Sequence, residues 1–472
     1  MQLFGTDGIR GTPGVYPLTD EMISKLAQAI AQSIVPQTKG LPPSEASGTV
    51  PEDKKSARKR ARIVIGKDTR LSGKDIEKIL AKSITDCGED VYFVGTITTP
   101  GLSFFTPKLT ADAGIMISAS HNKATDNGLK FFDAKGRKFS DKQEEKIEDI
   151  IFNQFSAPHA QRTTHYANKG KIYKIKNAPQ RYSNFLISTV KGLNLKGIKI
   201  ALDCAWGAAS PFAKKIFTQL GAKVASIHDK PSSHNINVGG AIDPALLKDL
   251  VLNTKAGIGI AVDGDGDRGI LVDEKGQILD GDCIMAVMAR HLIKNKQLRQ
   301  NTVVGTVMSN YGLRVSLEEI GAKLLTANVG DKFVLESLLA NNLNLGGEQS
   351  GHVIFLDYLP TPDGLLTALQ LLNVMQETGK TLSELANCMC KFPQILVNVK
   401  VKEKRPFEEI PLIEERLRQF NTQLKDQGRI LLRYSGTESL ARVMVEGRDQ
   451  ALIENIANSL AEHIKQEIGV EE

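Results

Sequence analysis

Three times along this chain a short β-branched run leads through a helical stretch to a second apolar run. Ile63–Ile65 leads to Val91–Val94, Ile198–Leu202 to Val224–Ile227, and Val303–Val307 to Leu324–Ala327. Runs with little polar alternation suit strands covered on both faces, and each spacing fits a βαβ unit. Three such units predict three related α/β domains. The last hundred residues read differently. Ile395–Val401 alternates as a strand, Pro406–Gln419 is helix-like, Arg429–Leu432 and Arg442–Glu446 are strand-like, and Leu452–Glu467 is an amphipathic helix. That order predicts a smaller α+β domain. At 472 residues the chain is too long for one core. The predicted domains are 1–157, 158–255, 256–376 and 377–472, with a linker near Glu377–Lys380.

Net charge is +6, but residues 54–62 hold six basic residues and no acidic one. Outside that run, 54 basic residues stand against 54 acidic ones, which argues against a nucleic-acid-binding face. The surrounding stretch 37–61 is polar and rich in Pro, Gly and Ser, and reads as a solvated loop insertion. Cys87, Cys204, Cys283, Cys388 and Cys390 are odd in number and scattered, so reduced thiols are expected. No apolar run approaches the roughly 18 residues that suggest a membrane span. A soluble cytoplasmic protein with no membrane partner is expected.

Four loops carry chemistry. Asp263-Gly264-Asp265-Gly266-Asp267-Arg268 sets three carboxylates within five residues. A hard cation such as Mg²⁺ relieves their repulsion through oxygen ligands, and Arg268 offers a fork for a phosphate oxygen. Carboxylates at positions 1, 3, 5 and 12 of this stretch also resemble a calcium EF-hand. Arg268 stands at that motif's glycine position, however, and the flanks read as strands. The run Ser118-Ala119-Ser120-His121-Asn122 ends a buried strand, but it lacks a G-x-S-x-G elbow and is ambiguous alone. Gly346–His352 packs Glu348, Gln349 and Ser350 between glycines, which suits sugar hydroxyls as well as a simple turn. Arg433-Tyr434-Ser435-Gly436-Thr437-Glu438, with Arg442 following, reads as a phosphate clasp. FGTDGIRG at 4–11 and GKDTRLSG at 66–73 are weak signals when taken singly.

Together and in order, FGTDGIRG, GKDTRLSG, SASHN, DGDGDR, GGEQSGH and RYSGTE resemble the conserved loops of the α-D-phosphohexomutase family. The resemblance covers essentially the whole chain. It implies four domains around a central cleft, three similar α/β/α domains with mixed sheets and a smaller α+β C-terminal domain that binds phosphate. Ser120 would carry a phosphoryl group to and from a sugar phosphate. Mg²⁺, one per chain, would be held by Asp263, Asp265, Asp267 and the Ser120 phosphate. A hexosamine or glucose 1,6-bisphosphate would be intermediate and activator. Lys130 matches the family's general acid/base, with Arg10 and His352 assisting. Glu348 and Ser350 would hold the sugar, and Arg268, Arg433, Ser435, Gly436, Thr437 and Arg442 its phosphates. FGTDGIRG with Gln349 most resembles members acting on glucosamine 6-phosphate and 1-phosphate, an isomerase activity that feeds amino-sugar and cell-wall precursors. Glucose or mannose phosphates are the alternative substrates, and a non-catalytic phosphosugar sensor is a third reading. The oligomeric state is left open. Lys123, Ser439 and Ala441 depart from the family pattern without removing a functional side chain.

Overall fold

The computed structural model describes residues 3–5, 7–34, 60–154, 169–435 and 438–470. Most of the 37–61 insertion lies outside the described residues. The first sheet comprises β1 (Ile9–Gly11), β2 (Arg62–Lys67), β3 (Asp90–Thr96), β4 (Ala113–Ile117), β5 (Asn127–Asp133) and β6 (Ile172–Lys174), in spatial order β1-β5-β4-β2-β3-β6. β7 (Lys199–Asp203), β8 (Lys223–Ile227), β9 (Ile258–Val262), β10 (Gly269–Asp273) and β11 (Ile278–Leu279) make the second, in order β11-β10-β9-β7-β8. A third sheet has β12 (Thr302–Thr306), β13 (Lys323–Ala327), β14 (Leu345–Gly347) and β15 (Val353–Phe355), ordered β13-β12-β14-β15.

One four-strand plan therefore recurs: β5-β4-β2-β3, β10-β9-β7-β8 and β15-β14-β12-β13. In each, the third strand in sequence runs parallel to the first, and the fourth returns antiparallel beside the third. β4 and β9 are buried along their whole length, as expected for sheets covered on both faces. Helix starts follow local chemistry. Thr98 accepts from the Gly101 N–H, Asp280 from Cys283, and Asp363 from Leu365 and Leu366, each satisfying first-turn donors.

The smaller sheet is β16 (Gln394–Lys400), β17 (Gly428–Tyr434) and β18 (Leu440–Gly447), antiparallel with β18 in the middle. The helix Gln450–Ile468 covers it, burying Ile453, Ile456, Ala457, Leu460, Ala461, Ile464 and Ile468 at helical spacing. Among the described residues no helix is long and apolar enough to cross a membrane.

Domain limits differ from the sequence expectation in three places. β6 pairs with β3, so the first sheet continues past residue 157. β9, β10 and β11 belong to the second sheet, so the acidic loop lies there and not beyond a boundary at 255. The chain also divides into two compact bodies, Met1–Met308 with Leu325–Ala386, and Ser309–Leu324 with Asn387–Glu472. Residues 309–324 join the C-terminal body through buried polar contacts. Asn310 donates to the Phe392 carbonyl at 3.0 Å, and the Tyr311 N–H donates to Glu446 at 3.2 Å. Such pairings depend on which groups meet in space, and periodicity does not report them.

Candidate active site

Three of the four singled-out loops occupy one equivalent place in the repeated plan. Ser118–Asp126 joins β4 to β5, Asp263–Arg268 joins β9 to β10, and Glu348–His352 joins β14 to β15. Polar loops at the carboxyl ends of buried strands are the usual ligand-binding positions of α/β sheets.

The serine loop is shaped by its backbone. Ser120 adopts φ +51°, a left-handed conformation that non-glycine residues rarely take. Ser118 Oγ accepts from the Ser120 N–H at 2.9 Å and donates to Asp68 at 2.7 Å. Arg70 spreads its guanidinium over the carbonyls of Ser120 (3.0 Å), Asn122 (2.8 Å), Asp126 (2.8 Å) and Lys123. Residue 123 thus contributes a carbonyl to this clamp, and lysine supplies it as well as proline would. Ser120 Oγ donates to Asp263 Oδ2 at 3.2 Å and lies 3.4 Å from His121 Nδ1. Burial, then the charges of Arg268 and Arg10, push His121 down to about 4, so its ring is neutral near neutral pH.

The acidic loop is flanked by paired strands, which excludes the helix–loop–helix of an EF-hand. Asp263, Asp265 and Asp267 are buried, and each can offer a carboxylate oxygen within 4.8 Å of the others. Burial, then Asp267 and Asp265, raise Asp263 well above the usual carboxylate range. Asp265 Oδ1 is buried without a hydrogen bond. A cluster of hard oxygens with one orphaned acceptor fits a divalent cation such as Mg²⁺.

Lys130, from β5, meets the same carboxylates. Its Nζ lies 2.9 Å from Asp265, 3.0 Å from Asp267 and 3.0 Å from Asp7. Burial works against its charge, yet Asp265, Asp267 and Asp7 hold its pKa well above the ordinary value. His352 behaves similarly. Burial opposes protonation, but Asp267 and Glu348 raise it to about 10. Both ring nitrogens face carboxylates, Nε2 to Asp267 at 3.0 Å and Nδ1 to Glu348 at 2.8 Å, which favours the imidazolium, while Arg268 Nε, 3.2 Å from Nε2, opposes it.

A cavity of about 740 Å³ opens beside these groups, lined in part by Arg10, His121, Arg268, Glu348, Ser350 and His352. Its volume is ample for a sugar phosphate. The sequence-predicted catalytic, metal and sugar-binding residues of the larger body are thus neighbours. On the smaller body, Arg433 pairs opposite Arg442 across β17 and β18, and Arg442 reaches Ser435 at 3.4 Å and Glu438 at 3.3 Å. Burial, then Arg442, lower the Arg433 pKa, as two facing cations should, and an anion would relieve that repulsion. Gly436 and Thr437 lie outside the described residues.

Sequence reading passed over Asp7, Lys138, Asp331 and Arg70. Asp7 holds Lys130, Arg10 and Lys138 together, and Lys138 continues to Asp331 at 2.7 Å. Burial opposes its charge, but Lys130, Lys138 and Arg10 hold Asp7 well below the usual range. Asp7 lies within FGTDGIRG and Arg70 within GKDTRLSG, whereas Lys138 and Asp331 carry no local signal.

Comparison with known proteins matches the chain's four-part architecture. Residues 45–157, 180–276, 280–392 and 396–463 match phosphoglucomutase/phosphomannomutase alpha/beta/alpha domains I, II and III and the C-terminal domain, in that order. A phosphoglucosamine mutase from Geobacter metallireducens is 46% identical over 470 residues, covering 99% of each chain. A phosphoglucomutase/phosphomannomutase family protein from Burkholderia thailandensis superimposes with a TM-score of 0.76 at 22% identity, covering 99% of each chain. N-acetylphosphoglucosamine mutase from Aspergillus fumigatus, in complex with GlcNAc-6P and magnesium, gives 0.64 at 15% identity over 99% of this chain and 96% of that one. A variant of the Aspergillus protein in complex with glucose 1,6-bisphosphate gives 0.60 at 16% identity, with the same coverage. With four ordered domain matches and a full-length relative at this identity, the chain belongs to the phosphoglucosamine mutase group of the phosphoglucomutase/phosphomannomutase family.

Proposed function

We propose that this chain interconverts glucosamine 6-phosphate and glucosamine 1-phosphate by phosphoryl exchange at Ser120. The observation that carries the reading is the placement of Ser120 Oγ 3.2 Å from Asp263, within a buried carboxylate cluster beside a sugar-sized cavity. Phosphorylated Ser120 presents its phosphoryl group to the free sugar hydroxyl. The sugar oxygen bonds to phosphorus and gives up its proton, the Ser120 oxygen–phosphorus bond breaks, and Ser120 regains a proton. The sugar bisphosphate then turns end for end, and the reverse transfer returns its other phosphate to Ser120.

Asp263, Asp265 and Asp267, with the Ser120 phosphate, would hold one Mg²⁺ per chain, which supplies charge neutralisation for the transferring group when bound. Lys130 is an ammonium beside the transfer point and serves in proton exchange there. Arg10 and His352 add positive charge to the cavity wall, and Arg268 binds phosphate oxygens. Glu348 and Ser350 hold sugar hydroxyls. Arg433, Ser435, Gly436, Thr437 and Arg442 bind a substrate phosphate. A hexosamine or glucose 1,6-bisphosphate is intermediate and activator, and the reaction belongs in the cytoplasm, supplying UDP-N-acetylglucosamine synthesis.

A coupled assay of the purified protein with Mg²⁺ and the 6-phosphates of glucosamine, glucose and mannose tests the substrate. Glucosamine 6-phosphate should turn over fastest; parity with the glucose or mannose ester overturns the assignment. Intact mass after incubation with glucose 1,6-bisphosphate should show one phosphate increment in the parent and none in Ser120→Ala. Deleting residues 41–58 should leave turnover largely intact.

A further inference from the structure

We propose that Asn237 is a positioning residue that locks the serine loop to the acidic loop, fixing the distance across which the phosphoryl group is held. The inference rests on the Ser120 phosphoryl-carrier reading. Asn237 lies in a turn of the segment that connects β8 of the second sheet to the helix Ala245–Thr254, and none of the motifs that mark the site contains it. Its Nδ2 donates to the carbonyls of Ser120 at 2.8 Å and Asn122 at 2.9 Å. Its Oδ1 accepts from the Gly264 N–H at 2.7 Å. One amide therefore spends both donor hydrogens on one loop and its acceptor on the other. Two carbonyls on one side and an N–H on the other also dictate which end of the amide is nitrogen.

Arg70 cannot do the same task. It follows β2, in the sheet that carries the serine loop, so it shapes that loop without reference to the acidic one. Asn237 comes from a connection leaving the sheet whose β9–β10 loop holds Asp263, and it bonds the residue after Asp263. The two clamps meet on the Ser120 carbonyl, which receives Arg70 at 3.0 Å and Asn237 at 2.8 Å. Ser120 holds a strained φ of +51°, and such backbone persists when its surroundings over-determine it. The acidic loop is shaped for the same contact. A Cβ on Gly264 would stand 2.8 Å from Asn237 Oδ1 and 2.9 Å from Nδ2, so only glycine admits the amide this closely.

Asn237 itself has φ +68°, which asparagine, aspartate and glycine adopt readily. Two substitutions thus separate the links without straining the backbone. Asn237→Asp keeps an acceptor for Gly264 but replaces the NH2 group, with both its donor hydrogens, by one oxygen facing the two carbonyls. Asn237→Gly removes both links.

The test is steady-state turnover of glucosamine 6-phosphate by the Mg²⁺-loaded full chain, with single-turnover labelling of Ser120 from glucose 1,6-bisphosphate. A misplacement on the order of 1 Å costs about 10²-fold in rate. Both variants should lose about that factor in kcat and in Ser120 labelling, with KM changed less than about threefold. A merely structural role would lower the yield of folded protein without this split. If either folded variant keeps kcat within about threefold of the parent, or loses only in KM, the positioning role is overturned. If the parent itself never labels Ser120, the carrier reading fails and takes this one with it.

Discussion

Lys130 Nζ stands 2.9 Å from Asp265 Oδ2, so the ammonium of one sheet is the counter-charge for the carboxylates of another. Asp267 and Asp7 complete its surroundings at 3.0 Å each. The same lysine that the proposed reaction uses for proton exchange also makes the acidic cluster tolerable in a buried setting.

Replacing that charge separates the two roles. Lys130→Met keeps the length of the side chain and leaves buried carboxylates short of a partner, which costs about 3–5 kcal/mol when a buried pair is broken. Its thermal midpoint in chelator should fall well below the parent's, and added Mg²⁺ should narrow the gap. Turnover should drop by about 10²–10⁴-fold, the range for a lost general acid or base. An unchanged midpoint in chelator would contradict the counter-charge role.

Asp265 has a buried oxygen without a hydrogen bond, an acceptor fitted to ligate a cation. Asp265→Asn should raise the Mg²⁺ concentration needed for half-maximal activity by at least about tenfold, because affinity follows the charge of the ligand set. Calorimetric titration of Mg²⁺ gives an independent reading, and equal affinity in variant and parent would count against this ligand.

Gly266 turns the acidic loop with φ +72°, and a Cβ there would stand 2.6 Å from Thr98 Cγ2. Gly266→Ala should cost on the order of 1–3 kcal/mol from the left-handed conformation alone. The damage should show first as weaker Mg²⁺ binding, since Asp265 and Asp267 flank the position. A variant with parental stability and Mg²⁺ affinity would show that the loop can turn another way.

Asp363 caps the helix Gly364–Thr378 and accepts a hydrogen bond from Tyr182. Burial outweighs the bonds from Tyr182, Leu366 and Leu365 and pushes it up from 3.8 to about 6. A raised carboxyl pKa means the folded state keeps a proton that the unfolded state releases. Its contribution is full below the unfolded value and is lost as pH rises through about 6, a change of up to about 3 kcal/mol. Relative to the parent, Asp363→Asn should therefore gain stability between about pH 4 and pH 7. Urea midpoints across that range measure it, and a pH-independent difference would rule the shift out.

Much of this was legible beforehand because it is local. Buried strands such as Ala113–Ile117 and Ile258–Val262 announce themselves by continuous apolar runs, and loops of glycine with charge announce chemistry. Lys138, Asp331 and Asn237 had no such signal. Their partners lie 131 residues away for Lys138 with Asp7, 193 for Lys138 with Asp331, and 117 for Asn237 with Ser120. The domain limits were missed for the same reason. A strand's sheet is set by its hydrogen-bonded neighbours, and β9 follows its first parallel partner, β7, only after a long excursion.

The cation chemistry of the aspartate loop was thus legible from residue type and spacing, whereas the serine loop was ambiguous by itself and stood out only through the resemblance carried by six ordered motifs. That three loops occupy one equivalent position in a repeated sheet was decided only by the fold. So was the meeting of Lys130 with Asp265, and of Asn237 with two loops at once. Charges and amides act over a few ångströms, and only the folded chain brings residues more than a hundred positions apart within that reach.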